Sequence, residues 1–166
     1  MVVKRSSKRT IDHVPSRDPV RVPIVLDKRN VATLALRAGR AAKKHREICG
    51  LVVDHGAVIR LVETRNKSRR AGSFWIHGGD WKALEKAATL LGSRVIGTFH
   101  SHIVSPPVPG PGDIRGAIDG HVMLILDGSS GRLVTWRIRG NRAYRLKHEV
   151  RSYFAPKDLP IKRVGP

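Results

Sequence analysis

The chain has 166 residues, of which 40% are hydrophobic, so it is long and apolar enough for one domain with a real core rather than a disordered chain. Its 32 Lys and Arg against 13 Asp and Glu give a net charge of +19, which favours acidic proteins, nucleic acid or anionic surfaces as partners; a solvated basic surface is the alternative. The single cysteine, Cys49, excludes an intrachain disulfide and a cysteine-rich zinc module, and no stretch approaches the roughly 18 apolar residues of a membrane span.

The amino-terminal residues 1–20 are predicted to form a flexible basic arm, because basic residues and prolines recur there. No apolar run follows those basic residues, so the segment does not resemble a secretory signal. We therefore expect a soluble cytoplasmic protein. A folded domain over residues 21–147 and a basic, extended tail over residues 148–166 complete the predicted organisation.

Apolar periodicity predicts an alternation of strands and helices. Short apolar or β-branched stretches predict strands over residues 22–26, 48–53, 58–63, 94–99, 121–126, 133–139 and 143–146. Amphipathic stretches predict two helices, over residues 30–46 and 80–91. Asp27 or Asn30 is the expected cap of the first helix, and Gly92 ends the second. A proline-rich loop over 104–112 and a short helical turn over 113–118 follow the fourth strand, and the order predicts a single α/β domain with a mixed sheet.

Two histidines follow the predicted strand 94–99, at His100 and His102. Side chains alternate along a strand, so residues two apart point to the same face. A His-x-His pair alone is weak evidence in a chain with eight histidines. Asp113 in the following loop and Glu47 before an earlier strand extend the pair to a constellation. Such a set has the composition of a catalytic zinc site with three protein ligands and a carboxylate base beside them.

These residues also carry a family resemblance. Glu47 in Glu-Ile-Cys-Gly-Leu, the run Gly-Thr-Phe-His-Ser-His and the later Asp113 resemble the JAMM/MPN+ metalloprotease family of the prokaryotic JAB type. The family pattern is a glutamate, then His-Ser/Thr-His, seven residues, a serine, two residues and an aspartate. The resemblance extends from about Val22 to Leu146 and includes the stretch 66–74.

The resemblance implies a cytidine-deaminase-like mixed β-sheet flanked by helices, and a zinc-dependent metalloprotease or isopeptidase. It implies Zn²⁺ bound by His100, His102 and Asp113, with Glu47 activating a zinc-bound water. Ser101 is then expected to orient the site through hydrogen bonds rather than to attack the substrate. Family members often cleave after the C-terminal glycines of ubiquitin-like proteins, so the expected substrate is a ubiquitin-like or sulfur-carrier protein. Deaminase activity is not expected, because the chain lacks Pro-Cys-x-x-Cys.

Two positions depart from the family pattern. Gly110 stands where the family has the serine whose hydroxyl is thought to stabilise the oxyanion, and Ile103 replaces a proline. Loss of one such donor typically lowers the rate about 10²–10³-fold. Three explanations stay open: a slow enzyme, substitution by Ser105 or a loop N–H, or metal binding without catalysis. The last describes the alternative function, a binding module that docks on nucleic acid or an acidic partner through its basic surface.

The remaining candidate ligands are interpreted as structural or exposed residues. Cys49 shares a strand face with Glu47, and a buried thiol is the favoured interpretation over an approach to the metal. Three protein ligands already suffice for a catalytic zinc site, so further imidazoles are not required. The other histidines considered are His45, His55, His77 and His121.

Overall fold

The computed structural model describes residues 23–152, so the arm predicted over residues 1–20 lies outside the described part of the chain. Residues 23–152 form eight strands and three helices. In chain order they are β1 (Ile24–Asp27), α1 (Lys28–Ala42), β2 (Cys49–Asp54), β3 (Ile59–Thr64), α2 (Gly78–Leu90), β4 (Arg94–His102), α3 (Pro111–Gly116), β5 (Val122–Asp127), β6 (Leu133–Arg139), β7 (Arg142–Leu146) and β8 (His148–Arg151). Along this range, no helix combines the length and apolar character needed to cross a bilayer.

All eight strands belong to one sheet with the order β7-β6-β5-β4-β2-β3-β1-β8. The central strand β4 pairs in antiparallel fashion with β2 and in parallel with β5. The sheet is therefore mixed, as parallel and antiparallel neighbours share the same strand. The predicted α/β domain, a mixed sheet flanked by helices, is confirmed.

Of the basic tail predicted over residues 148–166, the structure describes only the first five residues, and residues 153–166 lie outside the described part of the chain. His148–Arg151 form β8 and pair in parallel with β1, with Ile24 opposite His148. Only Lys147 separates β8 from β7, although the two strands stand at opposite ends of the strand order. The sheet therefore curls until its ends are joined through one residue. The segment has no apolar alternation of its own, and the free edge of β1 provides its hydrogen-bond partners.

Helix α1 packs against one face of the curled sheet. It begins after Asp27, whose carboxylate accepts a hydrogen bond from the backbone N–H of Arg29 at 3.0 Å, a standard N-cap arrangement. Its buried residues Leu34 and Ala38 join the main core cluster, which includes Phe99. The helix ends at Ala42, four residues before the predicted limit, because the chain turns through a positive φ of 53° at His45.

The opposite face of the sheet carries a smaller core cluster, centred on Met123, Ile125 and Ile138. Strand alternation decides which side chain reaches which face. Along β4, Phe99 joins the core beneath α1, and its neighbour His100 projects to the other face. The histidines therefore lie on the face that α1 does not cover.

Candidate metal centre and its cavity

Strand β4 holds both histidines of the His-x-His motif. The strand runs to His102, beyond the predicted limit of 99, so the two imidazoles are fixed by the pairing of β4 with β2 and β5. Their Nε2 atoms lie 3.2 Å apart. The His100 side chain is 1% exposed and that of His102 is 11% exposed. The motif thus directs two nitrogen atoms to one point at the end of a buried strand.

Helix α3 brings Asp113 to the same point. Its Oδ2 atom lies 3.6 Å from His100 Nε2 and 3.8 Å from His102 Nε2, and it accepts a hydrogen bond from the backbone N–H of Gly110 at 2.8 Å. Burial by itself would raise the pKa of Asp113, but the two neighbouring imidazoles and the hydrogen bond from the Gly110 N–H hold that pKa well below its usual range. The carboxyl group is therefore an anion, as metal ligation requires.

The three donor atoms fit a tetrahedral metal ion. Ligands bound at about 2.0–2.1 Å in that geometry lie about 3.3 Å from one another, close to the 3.2, 3.6 and 3.8 Å separations of this cluster. Two imidazoles and one carboxylate are a donor set that zinc accepts, and they leave the fourth position open. Among the described residues, His100, His102 and Asp113 form the cluster with ligand atoms within 4.8 Å of one another.

The two imidazoles differ in their surroundings. The Nδ1 atom of His102 lies 2.7 Å from the carbonyl oxygen of Pro106. In the neutral imidazole the proton is therefore on Nδ1, and Nε2 carries the lone pair that can bind a metal. Phe74 stacks on His100 with ring centroids 4.3 Å apart. Burial lowers the pKa of His100 and favours its neutral form, whereas the nearby Asp113 carboxylate raises the pKa of His102 and favours its protonated form. Within the described range, the buried Nδ1 of His100 has no hydrogen-bond partner.

Glu47 precedes β2 and lines the same cavity as the three donors. It is 7% exposed. Burial raises the pKa of its carboxyl to about 7; the charge of His102 opposes this rise and the charge of Asp113 adds to it. A carboxyl group with this pKa exchanges its proton near neutral pH, which is the property of a general base.

Ser101 and Asn66 hold the backbone around Glu47. The Ser101 hydroxyl accepts a hydrogen bond from the N–H of Ile48 at 3.0 Å, and the Ser101 N–H donates to the Ile48 carbonyl at 2.9 Å. The side chain of Asn66 donates to the Glu47 carbonyl at 2.9 Å and to the Ser73 carbonyl at 3.0 Å. The hydroxyl of Ser101 thus lies on the face of β4 opposite to the imidazoles, where it positions the glutamate strand.

Asn66 and Phe74 are site residues that the motif did not identify. Both belong to the polar loop between β3 and α2, where an asparagine is common and carries no specific signal. The carbonyl oxygen of the Asn66 side chain accepts from the N–H groups of Ser68 at 2.9 Å and Trp75 at 3.1 Å, which folds the loop onto the site. The similarity of stretch 66–74 to the family pattern was the one available indication.

The other candidate residues lie outside the donor cluster. Cys49 is fully buried, its Sγ lies 3.8 Å from Thr64 Oγ1, and burial raises the pKa of its thiol to about 11. His55 contacts Ser93 Oγ at 2.7 Å, and His77 caps α2. His121 stacks with Trp81 at 6.4 Å and lines the cavity without joining the ligand atoms.

Residues 30–139 match the family model described as prokaryotic homologs of the JAB domain. The chain belongs to this family. The matched range contains Glu47, the His-Ser-His run and Asp113, so every residue of the constellation lies within the prokaryotic JAB domain.

Solved structures share the fold of this JAB domain at low sequence identity. A protein of Desulfitobacterium hafniense superimposes with a TM-score of 0.67 at 20% identity, covering 78% of this chain and 94% of its own. A protein of Salinibacter ruber superimposes with a TM-score of 0.53 at 18% identity, covering 80% and 94%. No curated protein matches the chain. These similarities establish the fold and carry no information on activity.

Gly110 occupies the N-cap position of α3 in this JAB domain, with φ −78° and ψ 168°. Its N–H already donates to Asp113, so that N–H serves ligand positioning. Ser105 is exposed and lines the same cavity as His102. The hydroxyl of Ser105 is therefore a candidate for the missing donor, whereas the N–H of Gly110 is already engaged.

Proposed function

We propose that this protein is a zinc-dependent hydrolase that cleaves a peptide or isopeptide bond. The observation that carries the proposal is the convergence of two imidazoles and one carboxylate, with separations of 3.2–3.8 Å, at the wall of an open cavity of about 930 Å³. Glu47 lines the same cavity. Membership of the JAB family supports the same reaction class.

His100, His102 and Asp113 would hold the zinc ion. When bound, zinc supplies Lewis-acid polarisation of a carbonyl group and makes water more acidic. The deep burial of His100 and the strand geometry of β4 fix the nitrogen donors before any ligand arrives. Asp113 is held by the N–H of Gly110, so its orientation is also set in advance.

Glu47 is proposed as the general base. It takes a proton from the water that attacks the scissile carbonyl carbon, so that a C–O bond forms as the C–N bond weakens. It then returns a proton to the leaving amine nitrogen as the C–N bond breaks, which balances the hydrolysis. Asn66 and Ser101 act through the backbone of Glu47 and are positioning residues. Ser105 is the proposed donor to the oxyanion.

We propose an acidic protein as the partner, such as a ubiquitin-like or sulfur-carrier protein. Arg139 lies directly opposite Arg142 in the β6–β7 register, and both are exposed. Like charges in this position destabilise a sheet, and an acidic partner offsets the repulsion. Affinity that does not change between low and high salt would contradict this charge-based partner. A cytoplasmic location and binding of nucleic acid through the basic arm stay predictions.

A second candidate function is a non-catalytic binding module. The replacement of the family serine by Gly110 favours it, because the oxyanion donor of the family is missing. The retention of Glu47 opposes it, because burial of a carboxyl group costs free energy and a carboxyl group that is not a ligand does not contribute to metal binding. The two functions predict the same metal content and opposite results in a cleavage assay.

The test combines metal analysis with cleavage. We expect about one zinc per wild-type chain, its loss in His102→Ala, and full retention in the control His55→Ala, which lies in the β2–β3 turn. Chelator-sensitive cleavage of fusions to ubiquitin-like proteins and of a peptide library is expected for wild type and absent in Glu47→Gln. Cleavage that persists in Glu47→Gln would contradict the assigned base. Stoichiometric zinc without any cleavage would favour the binding module.

A further inference from the structure

The cavity beside the metal ligands has a composition unlike that of the rest of the chain. Lys and Arg make up 32 of 166 residues, yet no described residue of either type lines the cavity. Its charged residues are Glu47 and Asp113, and most of the remaining wall is apolar or aromatic. An anionic ligand, such as a phosphate or an acidic side chain, therefore meets no lysine or arginine side chain in the described wall of the cavity.

The cavity extends along β4, away from the metal ligands. Thr98, His100 and His102 project from the same face of the strand, and all three line it. From Thr98 to His102 the strand advances by four residues, or about 13 Å at roughly 3.3 Å per residue. An extended peptide has the same rise per residue. A substrate held with its scissile bond at the ligands thus places a residue up to about four positions away beside Thr98.

That distant end is built from apolar side chains on three elements. Met123 lies opposite Thr98 in the β4–β5 register and forms part of the floor with Ile138. Trp81 from the first turn of α2 and Ile118 after α3 also line the cavity. The cavity volume of about 930 Å³ is near the upper end of the range of about 300–1,000 Å³ that is usual for ligand pockets. The two glycines at the end of a ubiquitin-like tail have no side chains, so they would leave most of this apolar wall exposed to water.

The rim also exposes large apolar side chains. Trp75 is 57% exposed and Val108 is 53% exposed, and both line the cavity. Apolar surface around a concave site usually becomes covered when its ligand binds. Because the cavity is continuous with His100, His102 and Asp113, the ligand that covers it is the segment of chain next to the scissile bond.

We infer that this cavity binds a bulky apolar or aromatic side chain of the substrate, within about four residues of the scissile bond. The inference rests on the proposed hydrolase function and narrows its substrate class. A tail whose only feature is two terminal glycines is a poor substrate, whereas a segment with Phe, Trp or Leu near the cleaved bond is a good one. The basic surface outside the cavity then recognises the acidic body of the partner.

Binding is measured first, by calorimetry with metal-free wild-type protein. The probes are acetylated pentapeptide amides, one with four glycines around a central Phe and one with five glycines. We expect the Phe peptide to bind about 10- to 100-fold more tightly, the effect of burying one large apolar side chain. Equal affinity of the two peptides would overturn the inference, whether or not the protein cleaves any bond.

Two variants then locate the binding. Trp81→Ala is expected to lose most of the preference for Phe, whereas Leu90→Ala, an exposed apolar residue of the same helix, keeps it. Ile118→Lys is expected to shift the preference from Phe to Asp or Glu at the same peptide position. A new preference for acidic residues cannot result from misfolding. Unchanged selectivity in both cavity variants would overturn the assignment of the cavity.

The zinc-loaded enzyme and a peptide library separate this inference from the proposed function. Cleavage with apolar selectivity supports both. Apolar-selective binding without cleavage of any library member contradicts the proposed hydrolase function. It still supports the inference that the cavity binds an apolar side chain. Cleavage with equal efficiency for Phe and Gly at all four positions on each side supports the hydrolase and overturns the inference.

Discussion

The Ser101 hydroxyl and the backbone N–H of Ile48 form a hydrogen bond of 3.0 Å between the strand that carries the histidines and the residue after Glu47. The reverse bond, from Ser101 N–H to the Ile48 carbonyl, is 2.9 Å long. Ser101 is 1% exposed, so this pair is shielded from water. The middle residue of His-Ser-His thereby couples the position of the proposed base to that of the proposed ligands.

Ser101→Ala is expected to lower the free energy of unfolding by about 1–3 kcal/mol, because the buried Ile48 N–H loses its side-chain acceptor. Zinc content is expected to persist, while cleavage falls because Glu47 is less well positioned. Urea denaturation and metal analysis measure the two effects. Ser129→Ala, which removes an exposed hydroxyl in the turn after β5, serves as the control. Loss of zinc together with activity would contradict a role through Glu47.

Gly97→Ala is expected to destabilise the domain by about 3 kcal/mol or more. A Cβ at this position would lie 1.9 Å from the carbonyl oxygen of Val122, so β4 and β5 would have to separate. Gly112→Ala is the matched control, since a Cβ there meets no atom within 4 Å. Thermal denaturation measures both variants. Equal melting temperatures would show that the β4–β5 contact is looser than the structure indicates.

Gly110→Ser is expected to be tolerated and to raise the cleavage rate. The backbone angles of Gly110 suit any residue, and a Cβ there would lie 3.5 Å from Asp113 Oδ2, an ordinary contact. The new hydroxyl stands where the family has its serine, and one such donor typically changes the rate by about 10²–10³-fold. Steady-state kinetics on the best library peptide gives the size of the gain. A rate unchanged in Gly110→Ser but strongly reduced in Ser105→Ala would assign the donor to Ser105.

Glu47→Gln is expected to stabilise the metal-free protein at neutral and higher pH. Burial raises the pKa of Glu47 from 4.5 to about 7, so the folded state binds more protons than the unfolded state between these values. The contribution of Glu47 to stability therefore falls as pH rises from about 4.5 to 7, and glutamine removes a cost of up to about 3 kcal/mol above pH 7. Urea denaturation at pH 5 and pH 8, with chelator present, measures the difference.

Glu149→Gln is the control for that pH experiment, since the Glu149 side chain is 42% exposed. It is expected to show no comparable gain at pH 8. If Glu47→Gln stabilised the protein equally at pH 5 and pH 8, the effect would arise from packing rather than from the charge of Glu47.

Much of the fold was predictable because its signals are local. Alternation of apolar residues located seven of the strands, and Asp27 acted as the helix cap that its side chain favours. β8 was missed because His148–Arg151 have no apolar pattern, and the partner that makes them a strand lies more than 100 residues earlier in β1. The likeness of the fold to cytidine deaminases stays a prediction.

The sequence by itself determined the residue types of the candidate site: two imidazoles on one strand face and two carboxyl groups. These follow from residue identity and spacing, which need no long-range contact, whereas the family resemblance marks Gly110 as the position of a missing serine. Only the tertiary structure decided that Asp113 lies 3.6 and 3.8 Å from the two Nε2 atoms, that Ser101 holds Ile48 rather than facing the substrate, and that Asn66 anchors Glu47. The cavity beyond them also depends on it, because its wall joins residues of α2, β4, β5 and β6 that are far apart in the sequence.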